Sequence, residues 1–123
     1  MLTEKDYCDY ETCVALKGLG FNALVDWYFN EDKSIVSSLA RYRNTYIPRI
    51  SLYEAQKWLR KEKQIGVFVS GFKNGYTFWV NNLLSGDTLY QGFFDNQTGK
   101  KYKSYEEALL EGIKEAVKIL KEE

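Results

Sequence analysis

Ile65-Gly66-Val67-Phe68-Val69-Ser70-Gly71-Phe72-Lys73-Asn74-Gly75-Tyr76-Thr77-Phe78-Trp79-Val80-Asn81-Asn82 is the stretch that decides the fold. Successive side chains of a strand point to opposite faces, so Ile65, Val67 and Val69 take one side and Phe68, Ser70 and Phe72 the other. Asn74-Gly75 interrupts the alternation, and both residues accept the positive φ that a tight hairpin requires. Tyr76, Phe78 and Val80 then alternate with Thr77, Trp79 and Asn81. Ser85-Gly86-Asp87 turns the chain again, and Leu89, Gln91 and Phe93 alternate with Tyr90, Gly92 and Phe94. The reading is a three-stranded antiparallel meander.

Helices flank it. Ser51-Leu52-Tyr53-Glu54 and Ser104-Tyr105-Glu106-Glu107 each place Ser three residues before Glu. This is a capping box, in which each side chain satisfies a backbone N–H that the first helical turn leaves unpaired. The first of these helices should run Leu52 to Lys63, with Leu52, Ala55, Trp58 and Leu59 on one side and Lys57, Arg60 and Lys61 opposite. The second should run from Tyr105 to about Lys121, with Tyr105, Leu109, Ile113, Ala116 and Leu120 at helical spacing. A further helix is expected from Asp9 to Lys17, stopped at Gly18 and Gly20. Short strands over 25–30 and 35–39 form a hairpin around Glu31-Asp32-Lys33-Ser34, and Arg41 to Arg49 is a polar loop ending in Ile47-Pro48.

The fold class expected is therefore α+β, an antiparallel meander of three or more strands with helices mainly on one face, in the order α-β-β-β-α over residues 51–123. Residues 1–50 should add a helix and hairpin to this core within one domain spanning 1–123, because so short a segment buries little surface alone.

Composition narrows the function. Apolar residues are 45% and charged residues 28% of the 123, ordinary values for a globular chain, which excludes disorder as a class. Aromatic residues reach 16%, with ten Tyr, a surplus that suits strands and half-exposed contact surfaces. Seventeen basic groups balance seventeen acidic ones, which disfavours a dedicated nucleic-acid binder. The balance is uneven along the chain: residues 1–32 carry net −5, 33–64 net +6, 65–103 net +2 and 104–123 net −3. The N-terminus lacks a basic-then-apolar leader and no apolar run is long enough for a membrane span, so a cytoplasmic protein is expected.

No histidine is present. That removes Ser-His-Asp and Cys-His mechanisms and the commonest metal ligand. Cys8 and Cys13 are too few for a disulfide framework or a tetrahedral zinc site, and Cys13 reads as a core thiol. The glycines of 66–75 have strand spacing and form no phosphate loop. Glu54, Glu106 and Glu107 open helices, where the dipole favours the ionised form that a general acid must avoid. No catalytic, metal or cofactor residue is assigned, and a non-enzymatic module is expected.

The candidate partner-binding residues are Arg41, Tyr42, Arg43, Tyr46 and Arg49 in the loop, with Lys57, Arg60 and Lys61 on the following helix. Interleaved Arg and Tyr can attract a phosphate backbone and stack bases, or meet an anionic protein surface. The aromatic surplus favours a protein partner or a second copy, with nucleic acid as the alternative. Tyr76, Phe78, Phe93 and Val67 share one alternation class and Phe68, Trp79, Tyr90 and Phe94 the other, so whichever class lies under the helices leaves an aromatic face behind.

The α-β-β-β-α order of residues 51–123 resembles the double-stranded-RNA-binding domain. That resemblance implies RNA contact through Lys57, Arg60 and Lys61, then Lys73 and Asn74, then Lys100, Lys101 and Lys103. The sequence departs from that family where it counts: Glu106 and Glu107 occupy the helical turn that carries its lysines, and carboxylates there repel phosphate. Asp9-Tyr10-Glu11, Pro48 with Ser51-Leu52, Ala55-Gln56-Lys57-Trp58-Leu59-Arg60 and Ser104-Tyr105-Glu106-Glu107-Ala108 resemble small uncharacterised proteins of gut Bacteroides and their phages or mobile elements. That second resemblance carries no functional residue with it.

Overall fold

A computed structural model describes residues 2–38, 45–72, 75–91 and 101–122. The fold is α+β, and the chain divides into two compact units, Met1–Ser51 and Leu52–Glu123, each with its own three-stranded antiparallel sheet.

In the first unit, a short 3-10 turn at Glu4–Asp6 precedes α1 (Tyr10–Gly18). Asp9 caps this helix, its Oδ1 accepting the Thr12 N–H at 2.8 Å. The stop is a Schellman arrangement: the Phe21 N–H reaches the Leu16 carbonyl and the Gly20 N–H the Lys17 carbonyl, both at 3.0 Å. Gly20 carries the positive φ, 110°, which leaves Gly18 inside the helix. Strands β1 (Trp27–Phe29) and β2 (Ile35–Ser37) form the expected hairpin, its turn held by Asn30, whose Oδ1 accepts the Asp32 and Ser34 N–H groups.

The expected loop of 41–49 contains a strand, β3 (Ile47–Pro48), which makes β1 the central strand in the order β2-β1-β3. Proline argues against a strand unless it lies on an edge with its nitrogen turned away, and that is its position here. The flanking Arg49 N–H donates to the Trp27 carbonyl at 2.9 Å, so the Pro48 nitrogen faces away from β1. The unit closes where Tyr7 bridges Ser51 and the Cys8 N–H meets the Ile50 carbonyl at 2.9 Å.

The second unit runs α2 (Leu52–Glu62), β4 (Ile65–Phe72), β5 (Gly75–Asn82), β6 (Thr88–Gln91) and α3 (Tyr105–Lys121), with sheet order β4-β5-β6. Phe72 pairs with Gly75, so Gly75, expected in the turn, is the first residue of β5; Lys73 and Asn74 lie outside the described residues. Asn82 organises the next turn, its Oδ1 accepting the Leu84 and Ser85 N–H groups. Beyond β6 the chain returns to the sheet at Tyr102, which exchanges two backbone hydrogen bonds with Tyr76 at 2.8 and 2.9 Å.

Both helices lie on one face of this sheet. The Gln56 amide donates to the Val67 carbonyl at 2.8 Å, and Gly112 of α3 sits against Val67 and Phe78. The buried stripe of α3 is Ala108, Leu109, Gly112, Ile113, Ala116 and Val117, which repeats every turn with two adjacent residues. Tyr105, expected in that stripe, is exposed and meets Tyr76 edge-on at 6.3 Å. On α2, Leu52, Ala55 and Leu59 are buried as expected, while Trp58 is half-buried with the Lys63 ammonium over its ring. Ser104 caps α3 by accepting the Glu107 N–H at 3.1 Å. Glu107 reaches one residue further back than the usual box, to the Lys103 N–H.

Tyr102 gives this unit a pH limit. Burial raises its hydroxyl above the ordinary value of 10.0, and the Glu111 carboxylate adds to the shift. The folded hydroxyl stays neutral where the unfolded one ionises, so its contribution is complete below pH 10 and is lost as pH climbs through the folded value. We expect the urea midpoint to fall more steeply above pH 10 in the native sequence than in Tyr102→Phe. Equal alkaline slopes would remove Tyr102 as the cause.

Candidate functional site

The register of the second sheet decides which side chains share a face. Directly opposed residues of an antiparallel pair lie on the same side. Val67 opposes Val80 and Val69 opposes Phe78, and these sit under the helices. Gly66 opposes Asn81, Phe68 opposes Trp79 and Ser70 opposes Thr77, and these take the side opposite α2 and α3. The two alternation classes read from β4 and β5 therefore hold.

Tyr90 is the exception. It opposes Val80 and stacks on Phe78 with centroids 4.8 Å apart and planes 9° from parallel, so it belongs on the helix side and not with Phe68 and Trp79. The cause is an irregularity between Val80 and Asn81, where Tyr90 opposes one and Thr88 the other, leaving Leu89 as an extra residue on β6. Phe93 and Phe94 lie outside the described residues.

The side opposite α2 and α3 carries exposed apolar side chains near Gly66. Phe68 is 46% exposed and Leu83 39% exposed. Both lie over Gly66: a Cβ there would fall 2.6 Å from the Phe68 ring and 2.9 Å from a Leu83 methyl. Glycine thus lets the ring and the methyl meet above the strand, and half-buried Trp79 stands across from Phe68. At the other end Thr77 is buried. Asn81, opposite Gly66, has a buried Oδ1 with no hydrogen-bond donor among the described residues. A buried acceptor left unpaired costs about 1–3 kcal/mol. Leu83 was missed in the sequence because it lies in a turn, where alternation gives no signal.

The first unit has a groove of about 810 Å³ lined by Lys17, Phe21, Val25, Asp26, Tyr28 and Pro48, among others. Its size falls within the range of small-molecule sites, roughly 300–1,000 Å³. Its polar groups do not converge on one point. The Lys17 ammonium donates to the Tyr46 carbonyl at 2.9 Å, and Asp26 stands exposed. Among the described residues no three His, Cys, Asp or Glu side chains gather as metal ligands, and no helix is long and apolar enough to cross a membrane.

The candidate basic and aromatic residues are distributed over both units. Arg41, Tyr42 and Arg43 lie outside the described residues. Tyr46 and Arg49 flank β3 in the first unit. Arg49 is half-buried, with its guanidinium 3.9 Å from the centroid of the Tyr7 ring, a cation–π contact within that unit. Lys57, Arg60 and Lys61 are exposed on one side of α2 in the second unit. No family model, curated protein or solved structure matches this chain.

Proposed function

We propose that the chain is a non-enzymatic recognition module that takes a protein surface, in the simplest case a second copy of itself, on the side of its second sheet opposite α2 and α3. One observation carries this reading: Phe68 and Leu83 project over Gly66 beside Trp79, on the side of the sheet opposite α2 and α3. Aromatic residues ringed by small polar ones are the usual anchors of protein interfaces, and Ser70, Asn81 and Gln91 supply the polar surround.

Sedimentation equilibrium on the purified protein tests the reading. The expected result is concentration-dependent dimerisation that Phe68→Glu abolishes, weakening association by at least about tenfold for each 1.4 kcal/mol removed. Folding of the variant is checked by circular dichroism, since an exposed ring can be replaced without loss of core. A strict monomer at millimolar concentration rules out self-association. Titration with short duplex RNA at low salt decides against nucleic acid or for it. Binding whose log–log salt slope is about −0.9 per phosphate contacted, lost when Lys57, Arg60 and Lys61 are replaced by Ala, would transfer the function to that surface.

A further inference from the structure

In an antiparallel pair, alternate residues exchange both backbone hydrogen bonds with their opposite numbers, and those between them turn N–H and C=O away from the partner strand. Two contacts fix which residues of β4 do which. The Leu83 N–H donates to the Gln64 carbonyl at 2.8 Å, so the exchanging positions continue at Gly66, Phe68, Ser70 and Phe72. The Gln56 amide donates to the Val67 carbonyl at 2.8 Å, which shows that carbonyl turned away from β5. Ile65, Val67, Val69 and Gly71 therefore direct their backbone groups to the outer edge. Among the described residues β4 pairs with β5 alone and ends the order β4-β5-β6. Ile65 and Val67 are buried, and Gln56 occupies the edge beside them. Further along, Val69 is half-buried and Gly71 exposed.

Proteins guard a sheet edge with charge, proline, a bulge or a very short strand. β4 has none of these: its eight residues, Ile65 to Phe72, include no charged side chain and no proline and pair with β5 in unbroken register. We propose that this edge pairs with β4 of a second copy, antiparallel about a two-fold axis at Ser70, so that the two sheets join into one. The pairing rests on the self-association already proposed and specifies how the second copy is held.

Symmetry and the open positions select the register. A two-fold interface sets the same patch against itself, so residue i meets j and j meets i. With the axis at Ser70, Val69 meets Gly71 of the second copy and Gly71 meets its Val69. Both are outward-facing positions, and each pair exchanges both N–H groups, giving about four backbone hydrogen bonds. Registers that draw on Val67 compete with Gln56 for its carbonyl. Ser70 meets Ser70 at the closer kind of pair, with Cα atoms about 4.5 Å apart, where a small side chain fits. Like charges directly opposed across strands are destabilising, and on the axis any charge meets its own sign. An uncharged strand is therefore suited to pairing with its own copy. Phe68 shares the side of Ser70, so the rings of the two copies flank the axis on one continuous surface.

The test follows amide hydrogen exchange by NMR in the full-length chain, dilute and at millimolar concentration. The Val69 and Gly71 amides should become protected as the dimer forms, slowing about tenfold when about nine chains in ten are paired. The Ser70 amide, already held by Thr77, should be slow at both concentrations. Ser70→Glu and Ser70→Lys should each sediment as monomers, and their equimolar mixture as a heterodimer. A native chain that stays monomeric at millimolar concentration overturns this pairing together with the self-association beneath it. A dimer that Phe68→Glu breaks, but in which the Val69 and Gly71 amides exchange as fast as in dilute protein, overturns the edge pairing alone. So does a mixture of the two folded Ser70 variants that stays monomeric while the native chain dimerises. Exchange in the native chain is decisive by itself if a charged variant fails to fold.

Discussion

Phe78→Ala should cost the second unit about 3–5 kcal/mol, the range for removing a buried aromatic ring from a core. Phe78 is 4% exposed. It faces α3 at Gly112, stacks on Tyr90 and lies 6.1 Å from the Tyr102 ring, so its loss empties the point where sheet, helix and returning strand meet. The stacked pair adds about 0.5–1.5 kcal/mol beyond the area it buries. Since domains are typically stable by only about 5–15 kcal/mol, the variant should show a large fall in urea midpoint or unfold outright. Phe68→Ala is the control of equal chemistry on the opposite side of the sheet and should cost less than about 1 kcal/mol. Similar losses for the two would mean that the faces of β4 and β5 are assigned the wrong way round.

The same substitution should have opposite signs at two glycines. In a helix interior Ala is favoured over Gly by about 1 kcal/mol. Gly18 of α1 has nothing within 4 Å of where a Cβ would stand, so Gly18→Ala should stabilise by up to about that amount. At Gly112 the added carbon would lie 2.6 Å from Val67 Cγ1 and 3.2 Å from two atoms of the Phe78 ring. Val67 is itself buried, so its methyl has little room to withdraw. Overpacking a filled core costs about 1–3 kcal/mol and outweighs the propensity gain, so Gly112→Ala should be destabilising. Gly112→Val should exceed it, by about 3 kcal/mol or more in total, because two further methyls and a stiff χ1 enter the same space. Chemical denaturation of the three variants reads the order directly. Stabilisation by Gly112→Ala would show that α3 does not approach the sheet so closely.

How far the sequence reached depended on whether local chemistry or register decided the outcome. Asn74-Gly75 marked the hairpin between β4 and β5 but missed its register by one residue, since Gly75 already pairs with Phe72. Asp9 and Ser104 located two helix starts because their side chains do the capping themselves. Ile47–Pro48 escaped because strand propensity counts proline as a break, while an edge position turns its nitrogen away from the partner. The placement of Tyr90 depends on one extra residue, Leu89, and such a bulge is fixed by the backbone pairing around Asn82 and Asp87. Alternation along a single strand cannot reveal it. The aromatic side of the sheet was legible in Phe68 and Trp79, which share strands with clear period-two patterning. Arg49 was legible only as a charge; its stacking on Tyr7 joins residues far apart in the chain.

Pro48 has a bearing on how these molecules behave in a crowd. An outer strand normally offers a ladder of N–H groups on which a neighbouring chain can lay down a strand of its own, and repetition of that step builds fibres. On β3 the donor that Pro48 would have turned outward does not exist, so a strand laid there would lose a hydrogen bond. The residue that hides this strand from a propensity reading also keeps its rim from serving as a template for polymerisation.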